Sequence, residues 1–165
     1  MYANFGSFLF SYIVIVVPFL TIVYGIFIGF GLLKVTAIEF IINVAMFLLF
    51  SILGSFISNA TAYFIGMMVF YTDHLFGLSM AKNAIQGFLG GQMVPLAYMG
   101  KLGVIFSFTP FAFLNSTPVL VLMGKMDKLQ IINYIFIALI WILIIETANY
   151  LIFSRALKKL TVQGG

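Results

Sequence analysis

The stretches FLFSYIVIVVPFLTIVYGIFIGFGLL at positions 8–33 and LQIINYIFIALIWILIIETANYLIF at positions 129–153 decide the fold. They run for 26 and 25 residues and are apolar on every face, with one acid, Glu146, between them. At about 1.5 Å per residue they would measure roughly 39 and 38 Å, against a hydrocarbon core of about 30 Å. A chain in lipid must satisfy its backbone within each segment or in a closed barrel. Barrel strands alternate apolar and polar residues over about ten positions, and these stretches do not alternate. They are read as helices that cross a bilayer with some tilt.

The composition agrees. Hydrophobic residues make up 64% of the 165, aromatics 18% and charged residues 7%, where a soluble domain carries about 25% charged residues. Four acids leave too little charge to clothe a water-exposed surface. No cysteine is present, which excludes disulfides, thiol catalysis and thiolate metal sites. The first stretch is not read as a cleaved signal, because no Lys or Arg precedes it and it is too long. No internal repeat or low-complexity tract divides the chain, so residues 1–165 are expected to form one transmembrane domain.

A second apolar stretch, 38–71, is uncharged between Glu39 and Asp73. At about 1.5 Å per residue a helix over it would measure roughly 51 Å, so it must protrude, tilt or break. The weak points are Gly54-Ser55 and the run Ser58, Asn59, Ala60, Thr61. Small residues four apart (Gly25 and Gly29, Ser51 and Ser55, Gly54 and Ser58, Ala62 and Gly66, Gly87 and Gly91) permit close helix approach in lipid. After the polar turn Thr72-Asp73-His74, residues 80–94 read as a shorter helix. It carries Lys82, Asn83, Gln86, Gly90, Gly91 and Gln92, and Pro95 follows it. Residues 95–123 contain Pro95, Pro110 and Pro118 and the polar set Asn115-Ser116-Thr117. Proline inside a helix removes a hydrogen bond and clashes with the preceding turn, and broken backbone at membrane depth must be shielded by protein or line a cavity. This segment is read as a re-entrant helical hairpin; the other reading is a fourth span kinked at Pro110. The fold class is thus an all-α integral membrane protein with about four transmembrane helices and a re-entrant hairpin before the last, at 129–153, followed by a cytoplasmic tail, 154–165.

From Phe70 onward the order Gly77-Leu78, Phe88-Leu89-Gly90-Gly91, Val94-Pro95-Leu96, Pro110-Phe111, Pro118, Gly124, Trp141 and the terminal Val162-Gln163-Gly164-Gly165 resembles the permease subunit of bacterial ABC-type exporters. More narrowly, it is similar to the six-helix ABC-type-two permeases whose chains end in Val-Gln-Gly-Gly. The resemblance covers about the last 95 residues and rests on the ordered set rather than on any one element. It implies a re-entrant gate on the outer side, formed here by Gly90, Gly91, Pro95, Pro110 and Pro118. It also implies a separate ATPase subunit and a second permease half, identical or related. The first two helices of that family are expected upstream of what this sequence contains.

Charge is balanced if both termini are cytoplasmic. Lys82, Arg155, Lys158 and Lys159 then lie inside, and Lys34, Lys101, Lys125 and Lys128 outside. The dense cluster beside the last helix favours an inner C-terminus. The only His, His74, sits beside Asp73 at a helix end, where a solvated turn is the plainer reading than a general base. No Gly-rich phosphate loop ending in Lys-Ser/Thr is present, so no cofactor, ATP or nucleic-acid partner is expected. Glu146 lies well inside an apolar run, where a carboxylate faces a polar path or is held by a neighbour such as Asn149. Asn43 and Asn59 invite the same two readings, with interhelical hydrogen bonding preferred.

The sequence therefore points to a multi-pass permease subunit in a bacterial cytoplasmic membrane, not itself an enzyme. Asn43, Asn59, Glu146 and Asn149 are candidates for the path or for buried polar contacts. Asp73, His74, Arg155, Lys158 and Lys159 are candidates for ATPase contact. Besides the ATPase and the second permease half, only membrane lipids are expected as partners. The rival readings are a non-transporting scaffold or immunity-type membrane protein and, more weakly, an intramembrane enzyme, which would need paired acids or His on facing helices.

Overall fold

The computed structural model describes residues 14, 18–19, 22, 25–26, 36–68 and 75–163. The chain forms two compact units, Met1–Ile42 and Asn43–Gly165. In the first, the described positions Val14, Pro18, Phe19, Ile22, Gly25 and Ile26 are helical; the rest of the expected helix over 8–33 lies outside the described residues. This unit also starts the first long helix, α1 (Ala37–Met67). Thr36 and Glu39 close a capping box there: the Thr36 N–H and hydroxyl donate to Glu39 Oε2 at 2.9 and 3.0 Å, and the Glu39 N–H donates to Thr36 Oγ1 at 3.3 Å. Two donors without intrahelical partners are thereby satisfied where the helix begins.

At 31 residues α1 is about 46 Å long, at about 1.5 Å per residue. It runs unbroken through both suspected weak points. The polar side chains there bond back to their own helix: Ser55 Oγ to the Ile52 carbonyl (2.7 Å), Asn59 Nδ2 to that of Ser55 (2.9 Å), and Thr61 Oγ1 to those of Ile57 and Ser58 (2.7 and 2.9 Å). A polar group satisfied on its own helix needs neither a break nor a neighbour. The hydrogen bond of Asn59 is accordingly intrahelical, where an interhelical one was expected.

The next helix, α2 (Leu75–Leu89), starts and stops five residues earlier than the sequence reading placed it. Its end is set by Gly91, which has φ +77°. The Gly91 N–H bonds the Phe88 carbonyl (3.3 Å) and the Gln92 N–H bonds that of Gly87 (2.9 Å), the paired bonds of a left-handed glycine stop. Four short pieces follow: a 3-10 turn at Leu96–Met99, α3 (Gly100–Ser107), a second 3-10 turn at Pro110–Leu114, and α4 (Ser116–Leu122). None is long enough to cross a membrane. The prolines explain the breaks, because each stands at or before the first turn of a piece. Pro95 precedes the first 3-10 turn, Pro110 opens the second, and Pro118 is in the first turn of α4. At these places the missing N–H costs nothing. Gly124, with φ +65°, repeats the glycine stop after α4 through Gly124 N–H to Val121 and Lys125 N–H to Leu120, both 3.0 Å.

The last helix, α5 (Lys128–Gln163), is 36 residues long. It continues past residue 153, where the sequence reading ended it, because no Gly or Pro intervenes before Gly164. Among the described residues all the regular structure is helical and there is no strand. Two segments, Ile38–Met67 and Lys128–Arg155, are long and apolar enough to span a membrane.

Within Asn43–Gly165 the core joins Phe50, Leu53 and Ile57 of α1 to Phe113, Val121 of α4 and Ala138 of α5. Phe113 stacks on Phe50 with centroids 6.5 Å apart and meets Tyr134 edge-on at 5.9 Å. The outward side of α1 is also apolar, with Ile41, Phe56 and Tyr63 exposed, as expected of a helix whose solvent is hydrocarbon. Two glycines admit backbone into this packing. A Cβ on Gly54 would collide with the Phe113 carbonyl, and one on Gly90 would stand 2.9 Å from the Phe111 carbonyl oxygen. The second 3-10 turn is thus seated between glycine surfaces of α1 and α2.

Gly54→Ala should therefore lower stability by about 1–3 kcal/mol, the usual cost of overpacking. Gly66→Ala, on the same helix with open space around it, should be neutral or mildly stabilising. Thermal unfolding of both variants in mild detergent checks the contrast.

Candidate functional site

Among the described residues, helix α5 makes three long-range side-chain hydrogen bonds. Tyr134 and Trp141, two turns apart on one face, reach the broken segment: Tyr134 OH donates to Ser107 Oγ at 3.0 Å, and Trp141 Nε1 donates to the Phe108 carbonyl at 2.8 Å. Phe108 lies between α3 and the second 3-10 turn, where a carbonyl has lost its helical partner. The indole N–H supplies that partner. Farther along, Asn149 donates through Nδ2 to the Ala60 carbonyl of α1 at 3.0 Å. Asn149 is 2% exposed, and its Oδ1 has no partner among the described residues.

Two cavities flank these contacts. One, of about 420 Å³, is bounded by Thr61, Phe64 and Ile65 of α1, Leu78 to Ile85 of α2, Pro110 and Phe111, and Ile144, Ile145 and Ala148 of α5. Its wall presents no polar atom, although the stem of Lys82 forms part of it. The second, about 290 Å³, lies between the two halves of the broken segment and the start of α5, beside Ser107, Ser116, Lys125 and Tyr134.

The expected path residues are not brought together. Asn43 is half-buried, with Nδ2 3.3 Å from where a Cβ on Gly124 would stand. Asn59 is spent on its own helix, Asn149 is bonded to α1, and Glu146 is exposed. None of the four lines either cavity. Among the gate residues, Gly90 and Gly91 end α2, while Pro110 and Pro118 are buried at the starts of short helices and Pro95 is exposed. Gly90 also faces the amide of Asn115, with Nδ2 3.1 Å from where its Cβ would lie. Asp73 and His74 lie outside the described residues. Arg155 is exposed, and Lys158 and Lys159 fall on the last turns of α5. Among the described residues no three His, Asp or Glu gather as metal ligands.

Sequence reasoning missed the Tyr134–Ser107 pair and the cavity at Lys82. Its one available signal for the pair was the seven-residue spacing of Tyr134 and Trp141 on one helical face.

Two long apolar helices with a broken helical segment packed against both are the architecture of a helical membrane protein. The family model described as ABC-2 family transporter protein matches residues 5–164, and the chain belongs to that family. That family is one of membrane transport components. No curated protein and no solved structure matches the chain.

Asn149→Ala should cost about 1 kcal/mol from the lost interhelical hydrogen bond, a typical value at a helix interface in lipid. Glu146→Gln, one turn away on the exposed side, should stay within about 0.5 kcal/mol of the parent. Melting temperatures measured side by side in one detergent check both.

Proposed function

We propose that this chain is the membrane-spanning permease subunit of an ATP-driven ABC exporter, in the cytoplasmic membrane of a bacterium, paired with a second permease half of the same or a related sequence. The observation that carries the reading is the ABC-2 family match over residues 5–164. The backbone break between Gly90 and Gly124 supports it, since a bilayer tolerates such a break only where protein or a cavity shields it.

In this reading residues 95–123 form a re-entrant hairpin on the outer side, with Gly90, Gly91, Pro95, Pro110 and Pro118 as the joints of a gate. Residues 8–33 and 38–71 line the path against the second half. Asn149 acts as a buried polar fastener and Asn59 is satisfied on its own helix, while Asn43 and Glu146 face the path. Both termini are cytoplasmic, and Asp73, His74, Arg155, Lys158 and Lys159 meet the separate ATPase, which binds and hydrolyses the nucleotide. The permease moves its cargo by changing shape, because the ATPase shifts the relative free energies of two packings of the same helices.

The full chain should co-purify with an ATPase from native membranes in mild detergent, and deleting that ATPase should abolish export. Export that survives the deletion would overturn the permease reading in favour of a membrane scaffold or immunity-type protein. Topology can be read separately, since the sequence has no cysteine to interfere. Lys101→Cys, at an exposed position, should react with an impermeant thiol reagent added outside, and Arg155→Cys only with reagent added inside. Reaction of both from one side would sink the hairpin arrangement.

A further inference from the structure

We propose that the 420 Å³ cavity between α1, α2, Phe111 and α5 holds one acyl chain of an anionic phospholipid, whose phosphate pairs with Lys82. This is a statement about binding and stands apart from whether the chain exports a substrate.

The volume falls in the range of small-molecule sites, about 300–1,000 Å³, while the wall offers no polar atom to orient a polar ligand. The hydroxyl of Thr61 is committed to the carbonyls of Ile57 and Ser58 on its own helix. Ala81, Ile85 and Ile144 on its rim are exposed, so the space opens to the surroundings of the helices and takes up what lies there. In a bilayer the material at hand to fill it is hydrocarbon.

Lys82 decides which hydrocarbon. It is the only charged residue of α2, it is half-buried, and its methylenes form part of the wall. Its ammonium has no ion pair among the described residues. A cation in apolar surroundings is costly unless it is paired or snorkels to a polar boundary, and no carboxylate lines the cavity. At about 100° per residue, Ile144, Ile145 and Ala148 share one face of α5, and Glu146 lies almost opposite them. The acid nearest in sequence to the wall is therefore turned away from Lys82. An anionic headgroup supplies the missing charge while its chain enters the cavity.

Trp141, the only tryptophan of the chain, gives the measurement. It stands one turn before Ile145 on the cavity face of α5, so chains occupying the cavity come within reach of its indole. The full-length protein is reconstituted in vesicles containing phosphatidylglycerol or phosphatidylcholine with brominated acyl chains at equal mole fractions, and quenching of Trp141 is recorded. The expected result is a preference of about fivefold for the anionic lipid, the scale of one basic residue at an anionic surface. Lys82→Gln should bring that ratio close to one, whereas Lys101→Gln, at an exposed site, should leave it unchanged. Filling the cavity with Ala81→Phe or, if that variant does not fold, Ala148→Leu should reduce quenching by both lipids. Equal quenching by the two lipids, or a preference that survives Lys82→Gln, would overturn the proposal. Quenching by neither, together with cross-linking between two Ala148→Cys copies, would assign the cavity to a second copy of the chain and overturn it as well.

Discussion

Seating an interrupted backbone against the helices around it is the constraint on which the second unit depends. The chain between Gly90 and Gly124 has abandoned continuous helix, so its carbonyls need neighbours that accept close approach or donate a hydrogen bond. Gly54 and Gly90 provide the first: without side chains, they let the Phe113 and Phe111 carbonyls come to their Cα atoms. Trp141 provides the second at Phe108. A methyl group at Gly54 would press on the second 3-10 turn, and Phe113 on that turn is what Phe50 and Tyr134 pack against. Core and break are therefore one arrangement.

The same economy governs the polar residues. Ser55, Asn59 and Thr61 return their hydrogen bonds to α1, so a helix with a polar seam remains continuous. Asn149 fastens α5 to α1 at Ala60, and Tyr134 ties α5 to Ser107. In lipid such bonds have little water to compete with, and each fixes a register between elements that apolar packing alone leaves free to slide. What remains between the fasteners is an apolar cavity rather than a polar channel.

Breaks and unbroken helix are unevenly distributed in the second unit. Short helical pieces joined at Gly91, Pro95, Pro110, Pro118 and Gly124 present several joints, while α1 and α5 are long and uninterrupted.

The sequence by itself indicated a lipid solvent, long helices over 38–71 and 129–153 and the proline breaks between them. Positions 8–33 and 40–71 hold no charge and 129–153 a single acid, a pattern that suits lipid, and Pro95, Pro110 and Pro118 act on their own backbone whatever surrounds them. The ordered Gly and Pro positions also carried the family. Local pattern was weaker on the exact stops: Gly91 ends α2 earlier than the apolar run alone indicates, because the left-handed turn it adopts is a backbone choice. The tertiary structure alone decided which residues meet. Trp141 finds a carbonyl 33 positions away and Asn149 one 89 positions away, pairings that no local periodicity encodes. It also decided between neighbours on α5, burying Asn149 against α1 and leaving Glu146 exposed. Three residues along a helix turn a side chain by about 300°, but which direction faces protein depends on where the other helices stand.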